Sequence, residues 1–242
     1  QPCSSAASDV YKRQVLAKAK KLEAQGKDIV HLEIGEPDFE TPDHIKEAAK
    51  KALDDNFTHY VPSPGLMEVR EVIAEHQSDV HNKNISPENV VFTPGAKPIM
   101  FFTIMALIEP GDEVIYPNPG FPIYESMINY VGGKAVPMEL KEEKEFNADV
   151  DLIEQSISDK TKLIILNSPN NPCGSVMESA DMKRVADIAK EKDIVILTDE
   201  VYKDLYFEGS HNSVYDYDGM EENVVILDGF SKSYAMTGWR LG

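Results

Sequence analysis

Cysteine is nearly missing: Cys3 and Cys173 are the only two in 242 residues, which excludes a disulfide framework. Long apolar runs are missing too. No stretch approaches the ~18 residues that a membrane-crossing helix needs. No basic stretch followed by an apolar one opens the chain, as a secretory leader would. Basic side chains are scarce beside acidic ones, 24 Lys and Arg against 42 Asp and Glu, for a net charge of −18. Such a surface repels nucleic acid phosphates and anionic lipid heads, so neither is expected as a partner. Internal repeats and low-complexity linkers are also lacking. These absences point to a protein of the reducing cytoplasm.

What is present is ample core material, with 42% hydrophobic residues, and length for one large domain or two modest ones. Residues 1–14 show neither periodicity nor a motif and read as an unassigned tail. Val15 to Ala24 reads as a helix, and Asp28 to Ile34 alternates like a short strand. Thr41 followed by Pro42 predicts an N-cap and a helix running to about Asp55. Leu66 to about Asp79 is a further amphipathic helix. Then an alternation sets in. Strands are expected at 89–93, 112–116, 134–138, 162–167, 193–198 and 223–228, and helices at 97–108, 121–130, 149–157 and 177–191. Short, nearly unbroken apolar runs between helices are typical of strands buried on both faces. The expected architecture is therefore α/β, a mostly parallel sheet sandwiched by helices.

In such a sheet, ligands bind beyond the carboxyl ends of the strands. After Thr93 comes Pro94-Gly95-Ala96-Lys97, a glycine turn into a helix whose free N–H groups suit an anion. After Leu166 comes the amide-rich Asn167-Ser-Pro-Asn-Asn-Pro-Cys-Gly174. Asp199 stands where a buried strand emerges, and a carboxylate there is costly unless a cation answers it. Tyr202, three residues on, faces the same side in a turn. The last strand delivers Ser231 and Lys232, with Arg240 eight residues beyond the lysine. Each of these alone is an ordinary turn, cap or surface lysine. Their conjunction suggests a lysine that forms a Schiff base with an aldehyde cofactor and an arginine that clamps its phosphate, hence pyridoxal phosphate (PLP).

Six segments, in order, carry a resemblance: Gly35-Glu-Pro-Asp-Phe39, Tyr60-Val-Pro-Ser-Pro-Gly65, Pro119-Gly-Phe121, Ser168-Pro-Asn-Asn-Pro-Cys-Gly174, Asp199-Glu-Val-Tyr202 and Ser231-Lys232-Ser-Tyr-Ala-Met-Thr-Gly-Trp-Arg240. Together they resemble the class I/II aminotransferases of PLP fold type I, in the aspartate-type subgroup, over about residues 15–242. The resemblance implies a division into an N-terminal segment, residues 15–45, that contributes to a small domain, and a PLP-binding large domain, residues 46–242. Family members continue well beyond this point, so the large domain is expected to be incomplete at its C-terminal end and the chain to be a fragment lacking a full substrate site.

The implied activity moves an amino group from an amino acid to a 2-oxo acid. A β-lyase, a cyclopropane-forming synthase or an inactive cofactor-binding fragment are the alternatives on the same motifs. By resemblance, Lys232 would hold PLP and then move a proton at the substrate, with Asp199 on the pyridine nitrogen and Asn171 and Tyr202 on the ring's phenolic oxygen. The catalytic set is thus Lys232, Asp199 and Tyr202. Phe121 would stack on the ring; Gly95, Ala96, Lys97 (through its backbone) and Arg240 would surround the phosphate, and Ser231 would also bind the cofactor. Tyr60 would reach a neighbouring subunit's phosphate, implying a homodimer. Gly35 and Asn171 would meet the substrate, and no metal is implied. Two departures stand out: Gly229 where many members place a phosphate-binding serine, and Cys173 where threonine is usual.

Overall fold

The computed structural model describes residues 4–31, 35–209 and 211–242, with side chains from residue 14 onward. Its frame is a five-stranded sheet in the order β2-β1-β3-β4-β5. The strands are β1 Glu113–Asn118, β2 Lys134–Glu139, β3 Thr161–Asn167, β4 Val195–Asp199 and β5 Val224–Leu227. All four pairings are parallel. The helices are α1 Ser4–Glu23, α2 Asp43–Asp54, α3 Met67–His81, α4 Lys97–Leu107, α5 Ile123–Tyr130, α6 Val150–Ser156 and α7 Ser179–Glu191.

Side-chain alternation along each strand divides the interior into two cores. Ile115, Ile164, Leu166 and Ile196 point to one face, where they meet Val150 and Ile153 of α6 and Met182, Val185 and Ala189 of α7. Val114, Leu163, Ile165, Leu197 and Leu227 point to the other, against Met100 and Ile104 of α4 and Tyr124 and Ile128 of α5. Burial on both faces explains why the strands read as continuous apolar runs. Helix α7 shows the complementary pattern: Met182, Val185, Ala186 and Ala189 recur at helical spacing and are all buried.

Several boundaries differ from expectation. The helix expected from Val15 begins at Ser4, so its backbone takes in most of the segment read as a tail. Of the strand expected at 28–34, residues 32–34 lie outside the described residues, and 28–31 join no ladder. The strand expected at 89–93 is a turn at Pro87–Asn89 followed by irregular chain. Its hydrogen bonds go to scattered partners: Phe92 N to Pro64 O, Arg70 Nε to Val90 O, and a reciprocal pair between Thr93 and Gly242. A single reciprocal pair makes a bridge, not a ladder. Thr41 does not cap α2. Its hydroxyl donates instead to Ala235 O, and Pro42 occupies the cap position with no side-chain bond. That contact ties the start of α2 to the segment following Lys232.

No helix among the described residues is long and apolar enough to cross a membrane.

Candidate active site

The register lines up three strand ends. Asn167 of β3 pairs with Asp199 of β4, and Asp199 with Leu227 of β5. Beyond this edge lies a cleft of about 710 Å³. Of the residues expected in the site, Gly35, Ala96, Lys97, Phe121, Asn171, Asp199, Tyr202, Ser231, Lys232 and Arg240 all border it. Gly95 lies directly behind Arg240 at the same end. Tyr60 alone is elsewhere, fully exposed on the loop before α3.

Gly95 has φ +90°, in the left-handed region, and a Cβ there would collide with the Arg240 guanidinium, 2.9 Å from Cζ. The glycine thus serves both the turn and the close approach of Arg240. Arg240 is itself left-handed, at φ 54°, and its Nη1 donates to Thr237 O at 2.7 Å. Gly95 N donates back to Thr93 O, and Thr93 Oγ1 to Gly95 O, which closes the turn. Helix α4 then starts at Lys97; Pro98 carries no N–H and Ile99 N donates to Ala96 O, which leaves the Ala96 and Lys97 amides as the donors at its start. The Lys97 ammonium lies over the Phe121 ring, 5.5 Å from its centre. A guanidinium beside a helix start suits this end of the cleft to an anion.

The other end is acidic and dry. Asp199 is 5% exposed. Tyr124 Oη donates to its Oδ2 at 2.5 Å, and Val201 N makes a long 3.4 Å contact to Oδ1. Burial pushes the Asp199 carboxyl up to about 6; the Tyr124 bond opposes this, while Asp228 and Glu200 add to it. The buried side chain of Asn167 fixes the wall. Its Nδ2 donates to Pro169 O and to Asp199 O, and its Oδ1 accepts from Asn171 N. Asn171 is thereby held at the edge of the cleft.

Lys232 borders the same cleft. Its ammonium donates to Gly35 O and lies 5.8 Å from the centre of the Tyr202 ring. Desolvation lowers its pKa, against a smaller opposing pull from Glu36. Tyr202 is pushed the other way, first by burial and then by Asp199. The segment after Lys232 is fastened to the N-terminal stretch by Trp239 Nε1 to Thr41 and Thr237 to Glu36.

Gly229, where a serine was expected in the family pattern, borders the cleft with room for a side chain. A Cβ there would meet Ala96 Cβ and Leu241 O at 3.5 Å, ordinary contact distances. The sequence reading missed Tyr124 and Asn167. Tyr124 carried no signal that sets it apart from core, because a buried tyrosine near the start of a helix reads as packing. Asn167 was read as part of a turn, whereas its amide organises the strand ends.

The donor set suits PLP: a guanidinium and helix start for a phosphate, a buried carboxyl for a protonated ring nitrogen, an aromatic wall and a desolvated lysine amine. A family model described as aminotransferase class I and II matches residues 27–242. Over 215 residues, 89% of its length, the chain is 43% identical to a probable aspartate aminotransferase of Methanocaldococcus jannaschii, covering 56% of that protein. It is 42% identical to an aspartate aminotransferase of Pyrococcus abyssi, over 97% of its own length and 61% of that protein's. Among solved structures, the Thermus thermophilus aspartate aminotransferase with maleate superposes with a TM-score of 0.91 at 38% identity, over 96% of this chain and 60% of that one. The chain therefore spans little more than half the length of the curated relatives it matches. It belongs to the class I and II aminotransferases, a family whose members use pyridoxal phosphate.

Proposed function

We propose that this protein is a PLP-dependent aminotransferase that moves an amino group from an amino acid to a 2-oxo acid. The observation that carries the reading is one cleft bordered by the desolvated Lys232 amine, the buried Asp199 carboxyl and the Arg240 guanidinium. When bound, PLP would supply an electron-withdrawing ring.

The rest falls to the chain's own side chains. Lys232 is the group that moves a proton at the substrate's α-carbon, and its desolvation favours the neutral amine this requires. Asp199 answers the ring nitrogen's positive charge, which offsets the cost of burying its own. Asn171 and Tyr202 would hydrogen-bond the ring's hydroxyl oxygen, and Phe121 would form the wall against the ring. Arg240, Gly95, Ala96 and Lys97 (through its backbone) would hold the phosphate, and Ser231 would also bind the cofactor. Gly35 and Asn171 border the substrate. We further propose a cytoplasmic homodimer in which the exposed Tyr60 reaches the phosphate bound by the second copy.

The reading is tested by adding PLP to the protein and recording its visible absorbance, then supplying amino donors and assaying for 2-oxo acids. The expected outcome is an absorbance band that Lys232→Ala abolishes, and 2-oxo acid from at least one donor. A spectrum unchanged by Lys232→Ala contradicts the cofactor assignment. A normal spectrum with no 2-oxo acid from any donor contradicts transamination alone.

A further inference from the structure

The short hydrogen bond on Asp199 comes from a residue outside every motif. Tyr124 Oη donates to Oδ2 at 2.5 Å, and Tyr124 is completely buried. Its ring packs in the core beneath the cleft, edge-on to Phe121 with centres 6.0 Å apart. Only the hydroxyl reaches the site. The other carboxyl oxygen, Oδ1, has the long contact with Val201 N. Among the described residues, neither of these donors is a cation. A tyrosine that served only as core filling would bury a hydroxyl at a cost. Here the hydroxyl is spent on the one carboxylate that borders the cleft at this end.

Strand parity explains the meeting. Asp199 follows Leu197 by two residues, so it points to the face covered by α4 and α5, from which Tyr124 rises. Thr198 and Glu200 take the opposite face, where they bond to each other and to Ser213 and His211. The nearer support of Asp199 therefore comes from α5 alone.

We propose that Tyr124 is a positioning residue for the cofactor's ring nitrogen: by occupying Oδ2 it fixes the Asp199 carboxyl, favours its charged form and leaves Oδ1 for a cation in the cleft. This rests on the PLP reading above. The direction is physically consistent, since a donor to a carboxylate stabilises the anion. The hydrogen bond opposes the burial that raises the Asp199 pKa.

Tyr124→Phe tests it by removing one oxygen while keeping the ring in the core. In the cofactor-free protein, the carbon-13 carboxyl resonance of Asp199 is followed against pH, together with the phenolic ring-carbon resonance of Tyr124 in the wild type. PLP dissociation constants are then measured for wild type, Tyr124→Phe, Asp199→Asn and the double variant. The expected results are a wild-type Tyr124 signal that shifts with the Asp199 midpoint, and a higher Asp199 midpoint in Tyr124→Phe. PLP binding weakens roughly tenfold in that variant, as loss of one hydrogen bond to a charged group implies. The loss largely vanishes in the Asp199→Asn background, because it acts through Asp199. The inference is overturned by a Tyr124 signal blind to the Asp199 titration, by unchanged PLP affinity, or by equal losses in both backgrounds. The wild-type titration decides the coupling even if Tyr124→Phe fails to fold. A wild-type protein that takes up no PLP overturns the cofactor reading and this inference together, whereas uptake indifferent to Tyr124→Phe overturns the inference alone.

Discussion

Gly95 and Gly229 stand at the Arg240 end of the cleft with opposite requirements. At Gly95 the backbone is left-handed and a Cβ would strike the guanidinium, whereas at Gly229 a Cβ meets its neighbours at 3.5 Å. Gly95→Ala should displace Arg240 and weaken PLP binding by ~10-fold or more, the scale of one charge-assisted hydrogen bond. Gly229→Ser should fold normally and tighten binding several-fold by adding a hydroxyl donor. Titrating both variants with PLP checks the pair, and tightening in the first or weakening in the second would contradict the geometry. Asp199 and Lys232 stood out in the sequence as charges at or soon after the end of an apolar strand, and Arg240 by its place eight residues beyond the lysine. Tyr124 did not. A buried tyrosine at helical spacing reads as core, and only the three-dimensional meeting of α5 with β4 shows where its hydroxyl goes.

Elements were legible where burial writes itself into composition. β3 and β4 are apolar runs because both of their faces are covered, and α7 keeps its apolar stripe for the same reason. The segment 89–93 has similar composition but forms no strand, because a ladder depends on the neighbour as well as on the residue. Among the described residues it meets Pro64 at one point and Gly242, the last of them, at another. Long-range fastenings between elements were equally hidden. His81, at the end of α3, is buried. Its Nδ1 lies 2.6 Å from Asp216 in the turn before β5, and Nε2 lies 3.1 Å from Gln77. Burial alone would raise the Asp216 carboxyl, but His81, the Ser213 amide and the charge of His211 together hold it below the usual range. A lowered carboxyl contributes stability that is full above its unfolded value near pH 4 and is lost as pH falls through the folded value. Asp216 is half-exposed, so the effect is discounted to ~1 kcal/mol. Asp216→Asn should therefore lower unfolding stability at pH 7 by about that amount and converge with wild type once the pH has fallen through the folded Asp216 value. Urea melts across that range measure it; a difference that persists undiminished in acid would contradict the linkage.

At the scale of the whole molecule, the sheet order brings the ends of β3, β4 and β5 side by side, and the loops beyond them form one cleft with the start of α4. That convergence was foreseeable from the alternation of strands and helices, since parallel strands present the same end to the same side. The fastening of the N-terminal stretch beside the cleft was not. Thr41 and Glu36 fasten the N-terminal stretch to the chain after Lys232 through contacts nearly two hundred residues apart in sequence. No local pattern encodes such a contact. The central claim is that this assembled cleft, rather than any one motif, selects Lys232 for the cofactor. The most direct test is to incubate the protein with PLP, reduce with borohydride and locate the modified peptide by mass spectrometry. The account predicts a single pyridoxyl phosphate group on the peptide containing Lys232. Label spread over surface lysines, or absent from Lys232, would contradict it.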